Sequence, residues 1–173
     1  MAAARSEIIS LLNAAGIAFE VTEHQPIYTV EEGEALKLPH PEVIARTLFL
    51  CDDKHQNFWL VTLPKDKKLD LKALRAQLGS RRLTFAAAEE LDAMLNLPPG
   101  SVTPLGALND AEGRVPVIID ADFKESLIGV PLLTNTATIW LNGADLALML
   151  TPVSDAQLTQ AVSDAGYTVL SIE

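Results

Sequence analysis

The spacing of apolar residues near the amino terminus predicts a helix, a strand and a second helix. Apolar side chains recur at helical spacing over residues 5–15, and Gly16 supplies a stop signal. Alternating apolar and polar residues then predict a strand over 17–22. Thr29, followed three residues later by Glu32, is typical of a capping box and predicts a short helix after it.

The middle of the chain predicts a hairpin followed by two helices. Residues 43–51 and 58–63 are rich in β-favouring apolar residues, and the polar segment between them suits a hairpin connection. Leucines at helical spacing predict a helix over 69–78 that ends at Gly79, with basic residues on its polar side. A further helix is predicted over 87–95.

Beyond the Pro-Pro-Gly sequence that follows, the pattern predicts short strands and two more helices. One helix is expected over 144–150, and a tail after Pro152 contains another. Strands are expected over 105–108, 115–120, 136–141 and 167–172, with turns over 109–113 and around Gly129.

Strands and helices mix without a regular βαβ alternation, and the chain has no repeat and no linker that would divide it. The fold class predicted is therefore α+β, with a mixed, largely antiparallel sheet surrounded by helices, in a single domain. A length of 173 residues suffices for one well-buried core.

Composition indicates a cytoplasmic protein without a membrane segment. No apolar run approaches the roughly 20 residues that cross a bilayer, and the first residues lack a signal-peptide pattern. Cys51 is the single cysteine, so an internal disulfide is excluded, in agreement with a reducing compartment.

The charge distribution is strongly asymmetric. The chain carries a net charge of −10, yet residues 65–82 hold seven basic residues against Asp66 and Asp70, a local charge of +5 that leaves −15 elsewhere. An acidic body argues against nonspecific coating of nucleic acid or DNA binding, whereas one basic patch can seat a single nucleic-acid end. The alternative is a solvated helix face without a partner.

Several kinds of chemistry lack support. Neither the three histidines nor Cys51 occur at a spacing used by zinc or non-haem iron sites. Asp52 and Asp53 oppose thiolate formation at Cys51, whose strand position indicates packing. Phosphate-binding and dinucleotide-binding glycine patterns are missing, so no cofactor is predicted.

The segment from Gly100 to Pro104 is the strongest candidate for chemistry. Gly100 permits positive φ, the flanking prolines stiffen the loop, and Ser101 and Thr103 are small enough for a ligand to reach the main chain. Such a loop can point several amides at one carbonyl oxygen or carboxylate. The alternative is a rigid surface turn. Main-chain donors, hydroxyls and a cation suit ester hydrolysis.

Five pieces of sequence, the Gly100 segment among them, occur together in one order. They are His24-Gln-Pro-Ile-Tyr-Thr-Val-Glu31, Leu63-Pro-Lys-Asp-Lys-Lys-Leu-Asp-Leu-Lys-Ala-Leu74, Gly100-Ser-Val-Thr-Pro104 with Leu105-Gly-Ala-Leu-Asn-Asp110, Arg114-Val-Pro-Val-Ile-Ile-Asp120 and Asn135-Thr-Ala-Thr138. In order and spacing this set resembles the editing superfamily that includes YbaK and the insertion domain of bacterial prolyl-tRNA synthetase, and most closely its free-standing ProX (PrdX-like) members.

The resemblance implies a fold, an activity and partners. The fold would be a YbaK-like α+β domain over 1–173 with barrel-like sheet curvature, a core over about 5–150 and a tail over 152–173. The activity would be a cofactor-free, metal-free trans-editing deacylase that hydrolyses the ester of a small amino acid, alanine first, mischarged onto proline tRNA. The partners would be the acceptor end of that tRNA and prolyl-tRNA synthetase.

The resemblance also implies which residues form the site. Arg46 and the loop residues Gly100, Ser101, Val102 and Thr103 would be catalytic, the loop through its amides. The substrate pocket would include Ile27, Tyr28, Thr29, Thr47, Pro104, Asn135 and Thr136. The acceptor stem would contact Lys65, Lys67, Lys68, Lys72, Arg75, Arg81 and Arg82.

The chain departs from the family pattern at two places. Family members usually carry Lys followed by Asn or Thr where Arg46-Thr47 stands, and His-Pro-Leu where Pro131-Leu132-Leu133 stands. Arginine keeps the positive charge but cannot act as a general base. Two other functions stay open: a noncatalytic module that binds charged tRNA or a synthetase, and a sensor of free amino acid. Structural roles are the alternatives for Arg46 in an edge strand, His24 in a turn and Asn135 at a strand start.

Overall fold

The computed structural model describes residues 5–28, 30–110, 114–123, 126–150 and 167–168. Its helices are α1 (Arg5–Ala14), α2 (Val30–Ala35), α3 (Leu71–Leu78), α4 (Ala88–Leu95) and α5 (Gly143–Met149). Its strands are β1 (Phe19–Glu23), β2 (Ala45–Asp52), β3 (Phe58–Pro64), β4 (Leu83–Phe85), β5 (Val117–Asp120), β6 (Leu127–Pro131), β7 (Ala137–Asn142) and β8 (Tyr167–Thr168). Short 3₁₀ helices cover Pro41–Val43, Pro99–Ser101, Pro104–Asn109 and Ala121–Phe123.

The strands form two sheets. One has the order β4-β2-β3-β5-β8 and the other the order β1-β7-β6. Pairing is antiparallel except between β3 and β5, and a bridge from Ile44 to Gly129 links the two sheets. The α+β prediction with mixed, largely antiparallel pairing is confirmed, but the strands are divided between two sheets, and the described strands close no barrel.

The elements with the clearest sequence signals occur where they were predicted. The hairpin of β2 and β3 pairs Arg46 with Leu63 and Thr47 with Thr62. Asp70 accepts hydrogen bonds from the first amides of α3, and Gly79 ends that helix at φ 62°. Aspartate and a left-handed glycine are preferred at a helix start and stop. The predicted stop at Gly79 is confirmed, whereas the helix begins two residues after the predicted start at residue 69.

Two predictions in the second half of the chain are wrong. Residues 105–108 form part of a buried 3₁₀ helix instead of a strand, because Pro104 opens a turn that the Thr103 hydroxyl caps. The expected turn around Gly129 is strand β6, in which Gly129 pairs with Trp140. A Cβ atom at Gly129 would lie 2.7 Å from Trp140 Nε1, so this glycine makes room for the indole and does not turn the chain. Strand β4 was not predicted.

Part of the predicted carboxyl-terminal tail lies outside the described residues. The tail helix and residues 169–172 of the last predicted strand belong there, as do Thr29 and residues 111–113. Tyr167 and Thr168 pair antiparallel with Asp120 and Ile119 of β5.

Strand β3 is buried on both faces, which explains its continuous apolar sequence. Phe58 and Leu60 belong to the larger core cluster, with Ile8 and Leu12 of α1. Trp59, Val61 and Leu63 face a smaller cluster beneath Leu74 of α3. No helix in the described part of the chain has the length and apolar character needed to cross a membrane.

Candidate active site

A cavity of about 620 Å³ lies where the segment from His24 to Arg46 meets the Gly100 loop and the second sheet. Its lining includes six of the residues predicted for the site, drawn from five separate parts of the sequence. They are Ile27, Tyr28, Arg46, Lys65, Gly100 and Asn135.

Gly100 faces Asn135 and Tyr28 across this cavity. A Cβ atom at Gly100 would lie 3.7 Å from Asn135 Nδ2 and 4.0 Å from Tyr28 Cδ1. Asn135 is held by the neighbouring chain, since Ile27 N donates to Asn135 O at 3.2 Å and Asn135 Nδ2 approaches Ile27 O at 3.5 Å. The predicted loop and the predicted pocket wall therefore meet at one place.

Gly100 does not use the positive φ that its sequence position allowed. The positive-φ glycines among the described residues are Gly16 and Gly79. The importance of Gly100 is instead its missing side chain, which leaves the main chain open to the cavity. Within the described chain, its N–H has no hydrogen-bond acceptor, whereas Ser101 N donates to Pro98 O at 3.0 Å.

The residues after Gly100 serve mainly to fix the loop. Thr103 is fully buried, and its hydroxyl donates to Pro131 O at 2.8 Å while accepting from Leu105 N. Ser101 and Pro104 are also buried, and Val102 packs against the core. The described lining of the cavity contains none of these four residues.

Arg46 brings a guanidinium to the cavity from strand β2. Its Nη2 donates to Lys67 O at 2.6 Å, which holds the side chain across the turn after β3. Its Nε is buried and has no partner among the described residues. A buried donor without an acceptor is costly, so this nitrogen is available to an oxygen of a ligand.

His24 and Thr138 form a polar pair in the cavity wall that the sequence had not marked as a site. Because Gln25 O can only accept, His24 Nδ1 donates to it at 2.8 Å in the neutral ring. His24 Nε2 then accepts from the Thr138 hydroxyl at 2.9 Å. Both residues occur in the sequence pieces that carried the family resemblance, and that was the available signal.

Two charged lining residues, Glu34 and Lys37, had no sequence signal at all. Glu34 belongs to α2. Lys37 follows that helix with φ 49°, a left-handed conformation unusual for lysine. Both residues are recognised as part of the lining only from the fold, in which α2 and the residue that follows it lie beside the cavity.

Besides Pro104, three predicted pocket residues lie elsewhere or fall outside the described residues. The Thr47 hydroxyl lies 3.0 Å from the Thr62 hydroxyl between β2 and β3. Thr136 is exposed, and its carbonyl oxygen accepts from His24 N at 2.9 Å. Neither side chain is part of the described cavity lining. Thr29 is outside the described residues.

The basic residues predicted for tRNA are not equivalent. Lys67 Nζ lies 2.7 Å from the buried Asp120 Oδ2, an ion-pair contact, and 3.7 Å from Asp122. Arg81 donates to both carboxylate oxygens of Asp53, which lowers the pKa of Asp53 and raises that of Arg81. The remaining members are Lys65 at the cavity and the exposed Lys68, Lys72, Arg75 and Arg82.

Cys51 lies in a separate polar cluster with His55 and Glu90. Burial, together with the charges of Glu90 and Asp52, raises the pKa of the Cys51 thiol to about 11. Burial also acts to raise the pKa of Glu90, but hydrogen bonding from Ala87 N and His55 lowers it overall. The thiol is therefore protonated at neutral pH, as its predicted packing role required.

The fold and the cavity together define a small α+β domain of the editing class. The family model described as "Aminoacyl-tRNA editing domain" matches residues 24–148, so the chain belongs to this family. The match covers the residues that line the cavity and all the described strands except β1 and β8.

Similarity to individual proteins agrees with this membership. The chain is 37% identical over 144 residues to the prolyl-tRNA editing protein ProX of Acetoanaerobium sticklandii, covering 83% of this chain and 88% of that protein. It is 33% identical over 155 residues to prolyl-tRNA synthetase associated domain-containing protein 1 of Mus musculus, covering 84% of this chain and 89% of that protein. The crystal structure of a candidate trans-editing enzyme for prolyl tRNA synthetase has the same fold, with a TM-score of 0.66 and 20% identity over 90% of this chain and 95% of that one.

Proposed function

We propose that this chain is a cytoplasmic trans-editing deacylase that hydrolyses a small amino acid, alanine first, from mischarged proline tRNA. The observation that carries the proposal is the cavity in which Gly100, Arg46 and Asn135 meet. Its relatives include a prolyl-tRNA editing protein, which supports proline tRNA as the substrate. The domain is proposed to comprise the whole chain.

The reaction needs stabilisation of one developing negative charge. Water attacks the aminoacyl carbonyl carbon, the bond from that carbon to the ribose oxygen breaks, and a proton of the water ends on the ribose oxygen. The Gly100 amide is proposed to donate to the carbonyl oxygen as it becomes an oxyanion. One such donor is typically worth about 3–4 kcal/mol, or roughly 10² to 10³ in rate.

The cations at the cavity would orient the tRNA end. Arg46 Nε has no acceptor among the described atoms, and Lys65 also lines the cavity. Both can bind a phosphate or carbonyl oxygen of the terminal nucleotide, and arginine does so through a rigid planar fork. Because arginine stays protonated, Arg46 would act through its charge alone. A ribose hydroxyl of the substrate would activate the attacking water.

The amino group of the substrate also needs a partner. Glu34 is the acidic side chain among the described residues that line the cavity. A carboxylate there would attract the α-ammonium of an aminoacyl group and turn its carbonyl toward Gly100. We assign Glu34 this positioning role.

Editing by a separate protein compensates for the limited selectivity of the synthetase's binding pocket. A pocket discriminates one methylene by only about 1–3 kcal/mol, so a synthetase for proline cannot fully reject alanine. A second site that admits alanine and excludes proline removes the error. Tyr28, at 74% exposure on the cavity rim, offers a ring face to the terminal base.

Purified protein with a panel of esters tests the proposal. Alanyl, cysteinyl, seryl and prolyl esters of proline tRNA would be incubated with the protein, and release of labelled amino acid followed over time. We expect fast release of alanine and retention of proline. Release of no small amino acid above the buffer rate would refute the deacylase function.

One observation favours a noncatalytic binding module as the second candidate. Arg46 Nη2 is already engaged by Lys67 O, so the guanidinium is partly committed within the protein. Such a module would bind mischarged tRNA through the same cavity and basic residues without turnover. Filter binding that detects tight association in the absence of any release would support it.

A further inference from the structure

Three side chains outside the cavity converge on one point. His55 Nδ1 lies 3.5 Å from Cys51 Sγ, 2.8 Å from Glu90 Oε1 and 2.9 Å from Glu90 Oε2. The three ligand atoms all lie within 4.8 Å of one another. None of these described residues lines the cavity, so the cluster is separate from the proposed deacylase site.

One ring nitrogen of His55 faces both the sulfur and the carboxylate. A neutral imidazole nitrogen has either one hydrogen to donate or one lone pair to accept with. Donated to the carboxylate, the hydrogen on His55 Nδ1 reaches the weakly accepting Cys51 sulfur only as a longer, shared contact. A cation placed between the three atoms would be bound by all of them at once.

We infer that Cys51, His55 and Glu90 form a binding site for one zinc ion. Zinc is bound by thiolate sulfur at about 2.3 Å and by imidazole nitrogen or carboxylate oxygen at about 2.0–2.1 Å, usually with tetrahedral geometry. These lengths place sulfur and nitrogen about 3.5 Å apart. The observed separation of Cys51 Sγ and His55 Nδ1 is 3.5 Å.

The carboxylate needs only a small adjustment. Tetrahedral zinc separates nitrogen and oxygen ligands by about 3.3 Å, so Glu90 would move outward by about 0.4 Å. Glu90 Oε1 also accepts from Ala87 N at 2.9 Å, at the start of α4. Oε2 can bind the ion while Oε1 keeps that hydrogen bond, so metal binding and the helix cap are compatible.

Charge and access fit a divalent cation. A thiolate and a carboxylate neutralise zinc, and the release of the thiol proton on binding is the usual behaviour of cysteine ligands. Cys51 is fully buried, whereas the side chains of His55 and Glu90 are 47% and 23% exposed. The ion would therefore enter from the His55 side, and water would complete its coordination.

The position of the site gives it a consequence. Cys51 and His55 belong to β2 and to the turn after it, whereas Glu90 belongs to α4, which leads toward Gly100. A bound ion would fasten the end of the hairpin to that helix. Zinc should therefore raise the unfolding temperature, since it binds the folded chain.

Titration of the reduced full-length protein with zinc alone, against a chromophoric chelator, tests the inference. We expect one zinc per chain and, with cobalt as the probe, a thiolate charge-transfer band in the near ultraviolet. Loss of outer-shell partners typically costs about 10- to 100-fold in metal affinity, and loss of a ligand should cost at least as much. Glu90→Gln, which keeps the acceptor for Ala87 N, and His55→Ala are the test variants.

His40→Ala is the matched control, because His40 Nε2 pairs with Glu20 Oε2 at 3.0 Å in a surface His–Glu pair outside the proposed ligand set. It should leave zinc affinity unchanged. The inference is overturned if zinc does not bind at micromolar protein, if Glu90→Gln and His55→Ala bind it undiminished, or if His40→Ala weakens binding equally. Cys51→Ser should remove the cobalt charge-transfer band, and its persistence would contradict thiolate ligation.

Discussion

Gly100 and Asn135 face each other so closely that a single methyl group on Gly100 would contact the side-chain amide, at 3.7 Å from Nδ2. This is an ordinary contact distance, so Gly100→Ala should fold normally. The methyl group would nevertheless occupy the place proposed for the substrate carbonyl. We expect a loss of about 10- to 200-fold in kcat/KM for alanyl ester, the range that one methylene produces in a fitted pocket.

Gly79→Ala is the control, for which we expect lower stability and unchanged activity. Gly79 has φ 62° and nothing within 4 Å of an added Cβ, so alanine there strains the backbone without approaching the cavity. Stability should fall by about 1 kcal/mol while deacylation stays normal. Thermal melts and initial rates of both variants give the comparison. Equal activity of Gly100→Ala and the parent would remove Gly100 from the site.

Arg46 should act through its charge. Arg46→Ala is expected to lower kcat by at least about tenfold, since it removes a fixed cation from the cavity. Arg46→Lys keeps the charge, so a deacylase should change by less than about tenfold. If the parent protein is inactive and the lysine variant gains activity, the binding-module candidate is correct. Single-turnover rates on alanyl ester distinguish these cases.

The sequence was informative where local signals set the structure. The β2–β3 hairpin and the stop of α3 at Gly79 depend on nearest neighbours and were predicted, whereas the cap at Asp70 was not. The 3₁₀ helix over Pro104–Asn109 was misread because its apolar residues are buried by tertiary packing, and short apolar runs resemble strands. Gly129 was misread because its partner, Trp140, comes from another strand.

The same division applies to the candidate sites. Gly100 and Asn135 were identified because each belongs to a piece of sequence that resembles the family, and Arg46 because it stands where the family usually carries lysine. Glu34 carries no such signal, since its relation to the cavity depends on where α2 packs. The zinc site was missed because Glu90 lies 35 residues from His55, so no ligand spacing exists to be read.

Glu34 should affect substrate binding more than chemistry. Glu34→Gln preserves shape and removes the charge proposed to hold the α-ammonium. We expect KM for alanyl ester to rise about tenfold with a smaller change in kcat. An ester of N-acetylalanine lacks the ammonium and should be hydrolysed equally by both proteins. A variant that loses both substrates to the same degree would contradict the assignment.

The exposed basic residues should give tRNA binding its salt dependence. Lys68→Glu and Lys72→Glu reverse charges on exposed side chains, so affinity should fall and the slope of log K against log salt should flatten by about 0.7–0.9 for each lost phosphate contact. Arg81→Glu is the comparison, because Arg81 is already paired with Asp53. Its smaller effect would confirm that pairing matters, and unchanged slopes in all three variants would exclude the basic segment as a tRNA contact.

Lys67 should matter for folding as well, because it is the cation beside a fully buried carboxylate. Lys67 Nζ lies 2.7 Å from Asp120 Oδ2, and the Asp120 side chain has no exposure. Lys67→Met would leave that carboxylate without its counter-charge and should cost about 1–3 kcal/mol in the free energy of unfolding. Adding Asp120→Asn should recover part of the loss, with a coupling of at least about 1 kcal/mol in a double-mutant cycle.

The same cycle on the surface pair of Arg81 and Asp53 should show much weaker coupling, and equal coupling in both pairs would contradict the role of burial. Urea titrations of the parent, the four single variants and the two double variants measure both cycles. The result decides whether tRNA-binding losses in Lys67 variants can be assigned to contact with the tRNA.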